Sequence, residues 1–113
     1  MAIAVASTRE ALVLAYIGLG TYLSMHTADP GTNGANEATG GGYVRKATGW
    51  VAGATDGVAT GSQVTFDLPA GTYTHVGFQS AATAGTFLDK AAMTSTTLGA
   101  VGQILITPTV TVT

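Results

Sequence analysis

His26 and His75 are the side chains of this chain best suited to moving a proton near neutral pH, because unperturbed imidazole titrates there. With Ser24, Ser62, Ser80 and Ser95 and the carboxylates Asp29, Glu37, Asp56, Asp67 and Asp89, the inventory for a serine–histidine–acid hydrolase is present. The spacing is not. No G-x-S-x-G nucleophile elbow occurs, and both histidines fall in strand-like segments, where a histidine ordinarily hydrogen-bonds within its sheet. Metal binding lacks a pattern too: there is no H-x-H, H-E-x-x-H or C-x-x-C, and no cysteine at all. The oxygen-rich run from Asp29 through Asn33 and Asn36 to Glu37 could wrap a hard cation. It holds only half of a calcium loop and lacks the bidentate glutamate at the twelfth position. Asp29-Pro30-Gly31 reads more simply as a turn, with Asp and Asn side chains bonding to nearby backbone. Gly40-Gly41-Gly42-Tyr43 looks like a phosphate cradle without the G-K-[ST] end or a following helix. Asp67 alternates outward on its strand as a solvated or interface charge. Trp50, Tyr43 and Tyr22 could stack on a sugar, although aromatics of this kind more often fill a core. No residue qualifies as catalytic, cofactor-binding or metal-ligating, and no cofactor is expected.

Short strands have to position these groups. The first regular element is a helix over Thr8–Ile17. Ser7 and Glu10 have the spacing of a capping box, and Gly18 and Gly20 stop the helix. The apolar window Ala11–Leu23 falls short of the roughly 20 residues that cross a bilayer. Only Arg9 precedes that window and Glu10 follows at once, which does not make the basic start of a secretion signal. Thr21–His26 then alternates as a strand, and Asp29–Gly42 is a long loop of the kind found at contact surfaces. Tyr43–Val51 reads as a strand and Gly53–Gly61 as a turn-rich stretch. Gln63–Leu68 is the clearest half-buried strand, with Val64, Phe66 and Leu68 inward. Thr72–Gln79 follows, burying Thr74, Val76 and Phe78. A small-residue turn at Ala81–Gly85 leads to strands over Thr86–Met93 and Gly99–Thr107. Pro108 demotes Thr109–Thr113 to an edge strand or an extended arm. The expected fold is mainly β: an antiparallel sandwich or barrel-like single domain over residues 1–113, with one short N-terminal helix. Met1–Ala6 and Pro108–Thr113 are its extended arms, suited to strand addition.

Composition narrows the function. Of 113 residues, 20 are Thr, 19 Ala and 16 Gly, and only 10 carry charge, for a net charge of -2. Four scattered cations cannot build the positive footprint of a nucleic-acid binder. With 46% hydrophobic residues the chain is also too apolar to be disordered. A surface with so little charge has weak protection against association, which suits a protein packed into an assembly.

Two segments carry a resemblance. One is Ser24-Met25-His26-Thr27-Ala28-Asp29-Pro30-Gly31-Thr32-Asn33-Gly34-Ala35-Asn36-Glu37, leading through Gly40-Gly41-Gly42 to Tyr43-Val44-Arg45-Lys46. The other is Thr74-His75-Val76-Gly77-Phe78-Gln79-Ser80-Ala81-Ala82-Thr83-Ala84-Gly85-Thr86-Phe87-Leu88. Together they resemble a family of small virion proteins of tailed phages, frequent in phages of actinobacteria and commonly labelled tail fibre or minor tail proteins. The resemblance implies a structural role in the virion and no catalysis, with no active-site residues to carry over.

The resulting expectation is a non-enzymatic virion protein. A lone compact domain with short arms suits decoration of the capsid exterior through repeated lattice contacts. The alternatives are a minor tail or tail-fibre-associated protein, or a carbohydrate-binding module on the virion surface. The expected partners are its own copies, as a homo-oligomer, and other virion proteins such as the major capsid or tail proteins. Neither nucleic acid nor membrane is expected as a partner.

Overall fold

The structure is a computed structural model describing residues 2–113; Met1, the first residue of the expected N-terminal arm, lies outside them. One helix, α1 (Ala6–Ile17), precedes eight strands: β1 (Tyr22–His26), β2 (Lys46–Ala47), β3 (Val58–Thr60), β4 (Val64–Leu68), β5 (Gly71–Gln79), β6 (Phe87–Leu98), β7 (Gly102–Ile106) and β8 (Thr109–Thr111). Every pairing is antiparallel. Four strands form a sheet in the order β2-β1-β5-β6, and β3-β8 and β4-β7 form two further pairs. These two pairs are halves of one bent ribbon. The chain bends at Gly61 between β3 and β4 and at Pro108 between β7 and β8, and the Gly61 N–H donates to the Pro108 carbonyl at 2.9 Å. The tail after Pro108 therefore pairs with β3 of its own chain.

The core lies between the sheet and the ribbon. Leu23, Met25 and Phe78 cluster with Val64, Phe66, Leu68 and Ile104. The alternation expected for Val64, Phe66 and Leu68 is present, with Thr65 and Asp67 half-exposed between them. The mainly-β antiparallel class with one N-terminal helix is thus the observed architecture. The molecule measures 46 × 24 × 24 Å. No helix of the described residues is long and apolar enough to cross a membrane.

Several local expectations are corrected. The Ser7–Glu10 capping box does not form. The helix starts after Val5, which is extended (φ -90°, ψ 119°) and offers no side-chain cap. Glu10 Oε1 instead accepts the Gly57 N–H at 3.0 Å, a tertiary bond in place of a local one. That bond needs close approach: a Cβ on Gly57 (φ +78°) would sit 2.6 Å from Arg9 Cβ. In β5, Phe78 and the half-buried Val76 face the core as expected, but Tyr73 takes the inward place expected of Thr74, because the register against β6 shifts between Tyr73 and His75. The strand expected over Tyr43–Val51 shrinks to Lys46–Ala47. Tyr43 and Arg45 before it turn onto Glu37, and Val51 after it bridges to Thr60. Within the turn-rich stretch, Val58–Thr60 pairs as β3, and β6 continues well past Met93 to Leu98.

Candidate functional site

β1 lies between β2 and β5, and its register sets Ser24 opposite Gly77 and His26 opposite His75. Leu23 and Met25 belong to the core, while Ser24 and His26 point to the opposite face of the sheet. That face is not solvated. The chain after β1 folds back over it, held by Thr27 N–H to Asn36 O at 3.0 Å and Ala38 N–H to Met25 O at 2.8 Å. Both Ser24 and His26 are consequently 0% exposed.

Under this loop the proton positions follow from chemistry. His26 Nδ1 lies 2.8 Å from the Ala35 carbonyl, which can only accept, so Nδ1 carries the hydrogen. Nε2 then accepts the Ser24 hydroxyl at 2.7 Å, and Ser24 Oγ accepts Gln79 Nε2–H at 3.1 Å. Burial holds His26 below its ordinary pKa. The Ala35 carbonyl and Glu37 work against that shift, while Arg45 and His75 add to it. Phe87 closes the pocket edge-on, with ring centroids 5.9 Å apart. Gly77 is what makes room: a Cβ there would collide with Ser24 Oγ and lie 2.6 Å from His26 Nε2 and 2.9 Å from Phe87.

A second cluster ties the loop to the turn after β5. Arg45 grips Glu37 with two parallel bonds, Nε to Oε2 at 2.8 Å and Nη2 to Oε1 at 2.9 Å. Its Nη1 donates to the carbonyls of Ala81 and Ala84 at 3.1 and 2.8 Å. The Tyr43 hydroxyl donates to Glu37 Oε2 at 2.7 Å and accepts the Met25 N–H at 3.1 Å. Burial works to raise the Glu37 pKa, but the hydrogen bonds from Arg45 and Tyr43 and the Arg45 charge outweigh it and hold the carboxyl below the usual range. Burial, then the bond to Glu37, pushes the Tyr43 hydroxyl well above its ordinary value. The recess of about 300 Å³ beside this cluster is lined by a guanidinium already engaged on four sides.

The structure brings one serine–histidine pair together, and it is a sealed one. A hydrolase needs its serine at a surface with donors for the developing oxyanion. Here the serine lies beneath a loop, and the imidazole is oriented by a backbone carbonyl. The other serines are elsewhere: Ser62 Oγ accepts Gly49 N–H, and Ser80 Oγ accepts Thr86 N–H. The loop oxygens are taken up by donors of the chain itself. Asp29 Oδ1 accepts Gly31 N–H at 2.9 Å and Lys90 Nζ at 2.6 Å, and Asn33 Oδ1 accepts Ala35 N–H at 3.2 Å. Among the described residues no three His, Asp or Glu side chains gather as metal ligands. Asp67 accepts from Gln103 at 2.9 Å. Trp50 and Tyr43 turn inward against Phe78 and Phe66 rather than forming an outer platform. Sequence reasoning missed Arg45, Gln79 and Gly77. Gly77 alone left a signal, since a glycine in mid-strand marks close approach.

The two segments singled out in the sequence, Ser24–Lys46 and Thr74–Leu88, thus each supply side chains and carbonyls to one buried network. A family model described as podophage GP4 fiber I protein gp80 matches residues 19–113. The chain belongs to this fibre family. It is accordingly a phage tail fibre-type virion protein, and the buried network lies wholly inside the region shared with the fibre family. The matched region starts just after Gly18, the C-cap of α1, so the helix stands outside it. No curated protein matches the chain.

Proposed function

We propose that this chain is a non-catalytic structural domain of a phage tail fibre, held in place by its outer faces against copies of itself and neighbouring virion proteins. The observation that carries this reading is the consumption of its reactive groups. Ser24, His26, Glu37 and Arg45 are satisfied by the chain's own atoms, and they fasten a loop instead of facing a substrate. The fibre family supports the tail as the location. Decoration of the capsid shell, expected from size and short arms, is the competing placement, and neither the buried network nor the family match favours it. Gold-labelled antibody against the chain, viewed on intact particles, separates the two. Label confined to the tail with few copies per particle is the expected result; label spread over the head with many copies overturns the tail placement.

A further inference from the structure

The loop that covers His26 contains a peptide link with chemistry of its own. Asn33 is followed by Gly34, and a glycine has no side chain to crowd the attack of its nitrogen on the carboxamide before it. The fold sets up that attack. Asn33 is exposed, and its Oδ1 accepts the Ala35 N–H at 3.2 Å, a hydrogen shared with the Pro30 carbonyl at 3.1 Å. This bond curls the carboxamide back over the Asn33–Gly34 peptide. It also sets a backbone donor on the oxygen that becomes negative when Cγ is attacked. Among the described residues no acceptor holds the Gly34 N–H. Two other links each lack a part. Asn36 has its Nδ2 tied to the Asp29 carbonyl at 3.0 Å, and Glu37 after it is clamped by Arg45. At Asp56–Gly57 the side-chain oxygen accepts the Val58 N–H at 2.9 Å in the same manner, but Glu10 holds the Gly57 N–H at 3.0 Å and a carboxylate is a poor electrophile.

We propose that Asn33–Gly34 is a self-modification site, at which the chain slowly converts Asn33 to an isoaspartyl link and thereby loosens the loop over His26. Water or hydroxide takes the Gly34 amide proton. The nitrogen bonds to Asn33 Cγ, the Cγ–Nδ2 bond breaks, and Nδ2 leaves as ammonia with a proton from water. The succinimide so formed takes up a water. Opening at one carbonyl leaves an aspartyl residue; opening at the other routes the main chain through Cβ and Cγ. Nothing is oxidised or reduced: water is consumed, ammonia is released and a carboxylate is gained. In the isoaspartyl product the backbone is longer by one atom, just ahead of the Ala35 carbonyl that accepts His26 Nδ1–H at 2.8 Å. Gly34 cannot absorb the added length, because it lies against Phe87, where a Cβ would come within 3.1 Å of the ring. The Ala35 carbonyl therefore moves, and the imidazole loses the acceptor that orients it. The change runs one way, since hydrolysis does not restore the amide. It depends on this loop alone and not on where in the virion the chain sits.

The full chain is incubated warm in mildly alkaline buffer, folded and, in parallel, unfolded in urea. Peptide mapping by mass spectrometry locates each conversion of amide to acid, and isoaspartyl methyltransferase with a labelled methyl donor counts the isoaspartyl links. The expected rate at Asn33 in the folded chain is within about tenfold of that in urea and above the rates at Asn36 and Asp56. In Asn33→Gln, whose longer side chain closes the ring poorly, the conversion is expected to be lost. A folded rate more than about tenfold below the unfolded one overturns the site, because the fold would then protect the link. Faster conversion at Asn36 or Asp56, or an undiminished gain of acid in Asn33→Gln, overturns it as well. The isoaspartyl fraction, separated by its added negative charge, is then compared with the parent by proton NMR. Loss of the His26 ring N–H signal is expected; an unchanged signal overturns the loosening of the loop. None of these outcomes touches the tail placement, which the gold label reads separately.

Discussion

At the scale of single residues, the buried imidazole gives the fold a pH dependence of predictable sign. Because His26 has a lower pKa folded than unfolded, the unfolded chain binds a proton that the folded chain refuses. Stability from this group is fully present above about pH 6.5, the unfolded value, and declines on acidification until the depressed folded value is passed, with a slope of at most ~1.4 kcal/mol per pH unit. Melting temperature should fall between pH 7 and pH 5 in the parent chain and fall less in a His26→Asn variant; equal slopes would contradict this role. The neighbouring glycine is equally exposed to test. Gly77→Ala drives a methyl into Ser24, His26 and Phe87, and overpacking of this kind costs about 2–3 kcal/mol. A denaturation midpoint unchanged from the parent would show that the pocket has more slack than its distances indicate. Neither residue announced its partner in the sequence. His26 and Ser24 are two apart in a strand, which predicts only a shared face; the loop carbonyl that orients the ring belongs to tertiary structure.

At the scale of elements, legibility followed locality. Val64-Thr65-Phe66-Asp67-Leu68 was readable because its alternation is set by one buried face. The strand expected across Tyr43–Val51 was not. There the backbone preference for extension is common to strand and loop, and a bidentate ion pair made eight residues back decides between them. The capping box failed for a similar reason: Glu10 had a tertiary donor within reach. The ion pair predicts its own consequence. With side-chain exposures of only 14% and 23%, removing Arg45 leaves Glu37 largely buried without its counter-charge, held by Tyr43 alone, at a cost of about 3 kcal/mol. Arg45→Met should speed hydrogen exchange in the 27–45 loop and in the 80–86 turn together, since one guanidinium ties both. Faster exchange in the loop alone would mean the turn is held by other contacts.

At the scale of the whole molecule, the four-stranded sheet and the β4-β7 half of the ribbon share one core, while Val13 of α1 and Ala59 of β3 are buried outside that cluster. Trp50, the single tryptophan, packs edge-on against Phe78 at 5.8 Å and so reports on the sheet side of that core. Unfolding followed by Trp50 fluorescence and by far-ultraviolet circular dichroism should give coincident transitions, as expected of a two-state domain of this size. A separate early transition in the dichroism alone would mean that α1 detaches before the β structure opens. Composition speaks to the whole molecule, because sparse charge and abundant Thr and Gly are properties of the chain as a whole. It does not place individual charges: that Glu10 turns onto Gly57 is decided by tertiary structure.

The fastening of the long loop has an engineering corollary. Between the buried Ala38 and Gly41, which packs on Pro69, Thr39 and Gly40 are exposed, and at Gly40 (φ +84°) nothing lies within 4 Å of where a Cβ would stand. A short foreign epitope spliced between those two residues should leave the melting temperature within a few degrees of the parent, turning the crest of the particle's own protein into a display platform.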